Sequence, residues 1–199
     1  VNATSASPAE KGLVWDAPVR VFHWLMVACF VGAFATGDSE TWRLPHVTLG
    51  YTMAALLAFR LVWGLVGTRH ARFASFVRGP RAALAYLRGL LRGRAEHHAG
   101  HNPAGALAIV ALLAMTAAVA ASGWFAYQDI GGEAAKELHE ALSHAMLALV
   151  VVHVAGVVVG SLAHRENLVG AMLTGRKPVM PGESIRRAGY GMAALLLAA

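Results

Sequence analysis

At 199 residues, with 57% hydrophobic side chains and only 14% charged ones, the chain is not an ordinary soluble domain. Its formal charge of +6 would invite a nucleic-acid reading, but most arginines flank apolar runs and none forms a separate basic domain, which argues against nucleic acid as a partner. The single cysteine, Cys29, cannot make an intrachain disulfide, and the absence of Cys-x-x-Cys excludes a zinc ribbon and covalent c-type haem attachment. The length suits four or five membrane-crossing helices and little else.

Residues 1–13 read as a polar tail with no apolar core, so no cleavable signal peptide is expected and the first helix serves as the insertion signal. Residues 14–164 read as an all-α transmembrane unit of four spans, at about 18–37, 46–67, 104–127 and 138–163. Asp16 and Pro18 suit a helix start, with Trp15 as an interfacial anchor. His23 falls in the first turns of that helix. On the second helix, His46, Gly50, Met53, Leu57, Arg60, Gly64 and Gly67 recur at alternating steps of four and three and form one stripe. The stripe is either a helix–helix seam using glycines or an edge facing a flat cofactor, with Gly50 letting the ring approach. Arg60 favours the second, because an unpaired guanidinium in hydrocarbon is costly.

Residues 68–103 carry seven arginines, and Pro80–Leu91 suits an amphipathic helix lying on the membrane surface. His97, His98 and His101 crowd the end of this segment. No cysteine or carboxylate completes a metal site there, so a solvated loop is expected. The third span lacks histidine and reads as scaffold; an acidic link, Gln128–Glu137, precedes the fourth. On the fourth, His139 and His153 are fourteen positions apart, nearly on one face and roughly 21 Å apart along the axis. His144 should face elsewhere, and His164 is the rival to His153 as the deeper ligand. Residues 165–199 read as a tail; its apolar end, Ala188–Ala199, is too short to span.

Lysine and arginine counts set the orientation. One side receives Lys11, the loop arginines, Arg165, Arg176, Lys177, Arg186 and Arg187. The other receives Arg43 and Lys136 among Asp38, Glu40, Asp129, Glu133 and Glu137. The positive-inside rule places both termini in the cytoplasm. His46 and His139 then start their helices at the outer face, while His23 and His153 approach the inner one. Four histidines thus sort by depth into two pairs.

Val14-Trp15-Asp16-Ala17-Pro18-Val19-Arg20-Val21-Phe22-His23-Trp24 resembles the opening of the bacterial cytochrome b561 / nickel–iron hydrogenase b-type cytochrome family. So do His46…Gly50-Tyr51…Arg60-Leu61-Val62-Trp63-Gly64, Gly100-His101-Asn102-Pro103-Ala104-Gly105, and His139…His153 followed by Glu166-Asn167-Leu168-Val169 and Thr174-Gly175-Arg176-Lys177. The resemblance implies a four-helix bundle enclosing two non-covalent b haems with bis-histidine ligation. His23 with His153 would hold the inner haem iron, and His46 with His139 the outer one. Arg20 and Arg60 would be propionate partners by sign and depth. It further implies electron transfer between ubiquinone or another quinone and an outer-face partner, a periplasmic c-type cytochrome or hydrogenase-like protein, with an oligomer allowed. The alternatives are a superoxide:ubiquinone oxidoreductase, which needs a basic outer funnel, and a haem-free membrane anchor or metal permease.

Overall fold

The computed structural model describes residues 10–94, 98 and 100–198. Four helices are long and apolar enough to span a membrane: α1 (Ala17–Thr36), α2 (Arg43–Val66), α4 (Pro103–Tyr127) and α5 (Gly132–His164). Between the second and third spans lies the short helix α3 (Pro80–Leu91). Close backbone packing runs from α1 to α2, from α2 to α4 and from α4 to α5, with α3 against α4. The side of α5 facing α1 and α2 meets them chiefly through side chains, His139 against His46 and His144 against Phe34.

The spans begin where the local chemistry permits. Asp16 caps α1 by accepting from the Val19 N–H, with Pro18 in the first turn, where no donor is lost. Asn102 does the same for α4, accepting from Gly105, again with a proline behind it. The fourth span is longer than its apolar run suggests: α5 starts at Gly132, inside the segment expected to be a link. Gly131 and Gly132 both take left-handed φ values (92° and 58°), which turns the chain sharply enough for the acidic stretch to be helical.

Asp16 does more than cap. Its carboxylate, 1% exposed, also accepts from Trp63 Nε1 at 3.0 Å and Thr68 Oγ1 at 2.7 Å, joining the start of α1 to the end of α2. Each of those donors would otherwise be held in a poorly hydrated place without a partner.

The described parts of both tails are structured, beyond what a polar tail implies. Residues Glu10–Leu13 (β1) pair antiparallel with Arg176–Val179 (β2), in register from Glu10 opposite Val179 to Leu13 opposite Arg176. A further short helix, α6 (Leu168–Thr174), precedes β2 and ends at Gly175. Gly175 has φ 80°, and its carbonyl accepts from both Val14 and Trp15 (2.8 and 3.1 Å). A Cβ there would lie 2.6 Å from the Trp15 carbonyl, so only glycine serves both the turn and the close approach. The apolar end becomes α7 (Tyr190–Ala198), laid against α1 rather than spanning. Val14, Trp15, Ala171 and Val179 form a small buried cluster beneath this clasp.

Asp16→Ala should therefore cost about 3 kcal/mol, combining a lost cap with two stranded donors, whereas Asp16→Asn, which keeps an acceptor oxygen, should cost less. Thermal unfolding in detergent measures both. An Asp16→Ala loss within about 0.5 kcal/mol of zero would refute the bridging role.

Candidate functional site

The ends of the bundle each bring two predicted histidines into relation. At the acidic end, His46 and His139 face one another with ring centroids 6.0 Å apart and planes 82° apart. Their Nδ1 atoms are already engaged: His46 Nδ1 lies 2.8 Å from the Ala33 carbonyl of α1, and His139 Nδ1 lies 3.1 Å from the Val119 carbonyl and 3.2 Å from Ser122 Oγ on α4. A carbonyl can only accept, so each Nδ1 donates, and in the neutral ring Nε2 then carries the free lone pair. That is the tautomer a metal requires.

Gly123 lets His139 sit against the backbone of α4, since a Cβ there would come within 2.8 Å of the ring. Val119, Ser122 and Gly123 were not legible as site residues. The one available signal is a serine–glycine pair inside an Ala/Leu/Val run, so α4 is more than scaffold.

At the basic end, His23 and His153 lie close enough to interact electrostatically, and His23 Nδ1 is buried with no hydrogen-bond partner. Trp24 stands edge-on to His23 at 5.0 Å. The rival ligand His164 is otherwise employed: its Nε2 is 2.8 Å from the Tyr86 hydroxyl, with the two rings stacked. His144 is exposed, beside Phe34, and bonded to the Glu140 carbonyl of its own helix.

The α2 stripe divides in two. Met53, Leu57, Arg60 and Gly64 are buried as a face. Gly64 is filled by the Phe73 ring and Gly67 abuts Trp63, so these glycines serve packing. Gly50, by contrast, has nothing within 4 Å of where a Cβ would stand, which suits the approach of a flat group. Arg60 is 3% exposed, with its guanidinium 4.6 Å over the Phe73 ring, Asp16 nearby and one nitrogen, NH1, buried without a partner. Arg20 donates to the Leu173 carbonyl at 2.7 Å and leaves its buried Nε unpartnered.

The residues fit a flat, dianionic, metal-bearing group. Two imidazoles bound at about 2 Å to opposite sides of one metal have centroids roughly 6 Å apart, which the outer pair matches. Orphaned guanidinium nitrogens on Arg20 and Arg60 are donors for carboxylates.

The loop reading of His101 is corrected. Its ring packs on Trp15 (centroids 4.3 Å) and Phe76 (4.8 Å), not in solvent. Burial foremost, then the charges of Arg60 and Lys177 and the neighbouring His70 and His153, hold it down at about 3. His98 contributes its carbonyl to Lys177 Nζ at 3.2 Å, and Lys177 also pairs with Glu166 at 3.2 Å, both side chains nearly buried. His97 lies outside the described residues. Among the described residues no group of three metal-binding side chains converges.

Four apolar spans with imidazoles facing one another suit a helical membrane haem protein. Residues 14–175 match the prokaryotic cytochrome b561 family. The chain belongs to that family, and is thereby a b-type cytochrome. Two curated relatives, from Escherichia coli K12 and O157:H7, bear the name Probable Ni/Fe-hydrogenase 1 B-type cytochrome subunit; each is 26% identical over 143 residues, covering 58% of this chain and 60% of the relative. The chain thus spans less than two thirds of the length of these relatives. No solved structure matches it significantly.

His101 offers a check on the basic end. Its imidazole is neutral when folded but titrates near 6.5 when unfolded, so the unfolded chain takes up the proton first as pH falls. Its contribution is full above about pH 6.5 and is lost progressively toward pH 3. Between pH 7.5 and 5 this removes about 2 kcal/mol. His101→Gln should be less stable at pH 7.5 yet show a flatter acid limb in thermal unfolding. An unchanged slope would mean that His101 is solvated.

Proposed function

We propose that this protein relays electrons across a bacterial inner membrane by holding two b haems, one above the other. His46 and His139 would bind the outer iron and His23 and His153 the inner one, with Arg60 and Arg20 as carboxylate partners. When bound, haem b would supply a one-electron carrier, and ligation by two imidazoles would favour electron transfer over oxygen chemistry. The chain's own residues set the rest: Ala33 and Val119 carbonyls fix the ring tautomers, Ser122 braces His139, and Gly50 leaves room beside it.

The observation that carries this reading is the outer pair. Two half-buried imidazoles face each other at a two-ligand distance, and each has its far nitrogen tied to a backbone carbonyl of a different helix. Satisfying two such rings by packing alone would leave both Nε2 atoms without partners in hydrocarbon.

In this reading the basic end faces the cytoplasm and the inner site exchanges electrons with the quinone pool. The outer site exchanges them with a soluble or peripheral redox protein, a c-type cytochrome or, as the relatives' name implies for them, a nickel–iron hydrogenase. Acidic residues at that end, with Asp38, Glu40 and Glu137 among them, favour a partner with a basic face. They also disfavour superoxide as substrate. Among the described residues the cations at that rim, Arg43 and Lys136, lie beside Glu40 (4.0 Å) and Glu133 (3.4 Å), which does not make a basic funnel for an anion.

Purified protein should show about two b haems per chain by reduced-minus-oxidised absorbance. His153→Ala should halve the haem content while sparing the outer site, and His139→Ala should do the converse. If His164→Ala costs a haem and His153→Ala does not, the inner ligand has been misassigned.

A further inference from the structure

Helix α3 stands apart from the spans. It begins after Gly79 (φ 82°) and is followed by Gly93 (φ 69°), so a left-handed residue breaks the chain on either side. At about 100° per residue its twelve positions sort into four faces. Ala83 and Tyr86 are buried on the face packed toward α4, and Tyr86 reaches on to His164. Roughly a quarter turn to one side, Leu84, Leu87 and Leu91 form a stripe, 49%, 44% and 88% exposed. Opposite the leucines lie only the small residues Ala82, Ala85 and Gly89. The face turned away from the bundle carries Arg81, Arg88 and Arg92, all exposed.

This arrangement is not that of a helix solvated on three sides. Removing leucine side chains from water is favourable, so three aligned leucines on a helix already fixed at the rim of a membrane bundle belong in the acyl layer. With the packed face inward and the leucines toward lipid, the arginine face comes out laterally, at headgroup height, and the small residues line a polar pocket with Arg94 and His98, where Ala85 is exposed. No Asp or Glu occurs between Glu40 and Glu96, so α3 itself carries no carboxylate to neutralise those arginines.

We propose that α3 is a docking surface for an anionic phospholipid leaflet: Leu84, Leu87 and Leu91 enter the acyl boundary, and Arg81, Arg88 and Arg92 contact lipid phosphates. Partition of the leucines supplies the depth, and each arginine is attracted to the anionic surface. Because Tyr86 lies on the packed face of the same helix and bonds His164, lipid binding also holds α3 against the end of α5. The inference does not depend on how the haems are ligated.

Spin labels at Leu87→Cys and, separately, Ala85→Cys test it in the haem-loaded protein with Cys29→Ala, reconstituted in nanodiscs. Discs of phosphatidylcholine alone are compared with discs containing about one third phosphatidylglycerol. The Leu87 label should favour collision with oxygen, and the Ala85 label with a water-soluble nickel chelate. Phosphatidylglycerol should deepen the Leu87 label. Arg81→Gln/Arg88→Gln/Arg92→Gln should abolish that response and lower the phosphatidylglycerol retained in native mass spectra, with the haem absorbance unchanged. Three results would overturn the proposal: both labels water-accessible in both lipids, dipolar broadening that shows a second copy covering the leucines, or equal phosphatidylglycerol retention by the triple variant.

Discussion

One buried carboxylate organises the basic end of this cytochrome. Asp16 caps α1, receives the Trp63 indole and the Thr68 hydroxyl from the end of α2, and lies near the Arg60 guanidinium. A charge so far from water persists only because donors surround it. Those donors fix how far α1 and α2 slide along each other, and His23 and His46 ride on those helices at opposite ends. An error in that register would move both histidines relative to α5, which carries His139 and His153. The clasp of β1 on β2, closed over Val14 and Trp15 by Gly175, holds Asp16 in position from below.

Around that anchor the molecule separates rigidity from accommodation. The α1–α2 and α4–α5 packing is tight, with Phe22, Cys29, Met53 and Leu56 forming a dry core. Polar groups elsewhere are oriented rather than saturated: the ring nitrogens of His46 and His139 are held by carbonyls at one pole, and buried nitrogens of His23, Arg20 and Arg60 have no partner. A bundle intended only to pack would fill such positions with alanine or leucine. Holding imidazoles and guanidinium groups in hydrocarbon is costly unless a cofactor supplies iron for the first and carboxylates for the second.

Much of this was legible in the sequence because the membrane simplifies the problem. Long apolar runs must be helices, so helical spacing converts His46, His139, His23 and His153 directly into depths. The surface helix over Pro80–Leu91 was also readable, since its leucines and arginines separate at helical period. The illegible parts rest on contacts between distant segments. Pairing of Glu10–Leu13 with Arg176–Val179 leaves no periodic trace over four residues, and the acidic start of α5 looked like a link because its helicity rests on a glycine turn. His101 looked solvated by composition; its seat between Trp15 and Phe76 is formed by three separate loops. The bracing of His139 by Val119 was invisible because a backbone carbonyl has no sequence signature.

The central claim is that each iron lies between two imidazoles from different helices. Low-temperature electron paramagnetic resonance of the oxidised protein tests it most directly. Two distinct low-spin ferric signals, of the kind two imidazole ligands produce, are expected, one lost in His46→Ala and the other in His23→Ala. A dominant high-spin signal, or one low-spin species that survives both substitutions, would contradict the account.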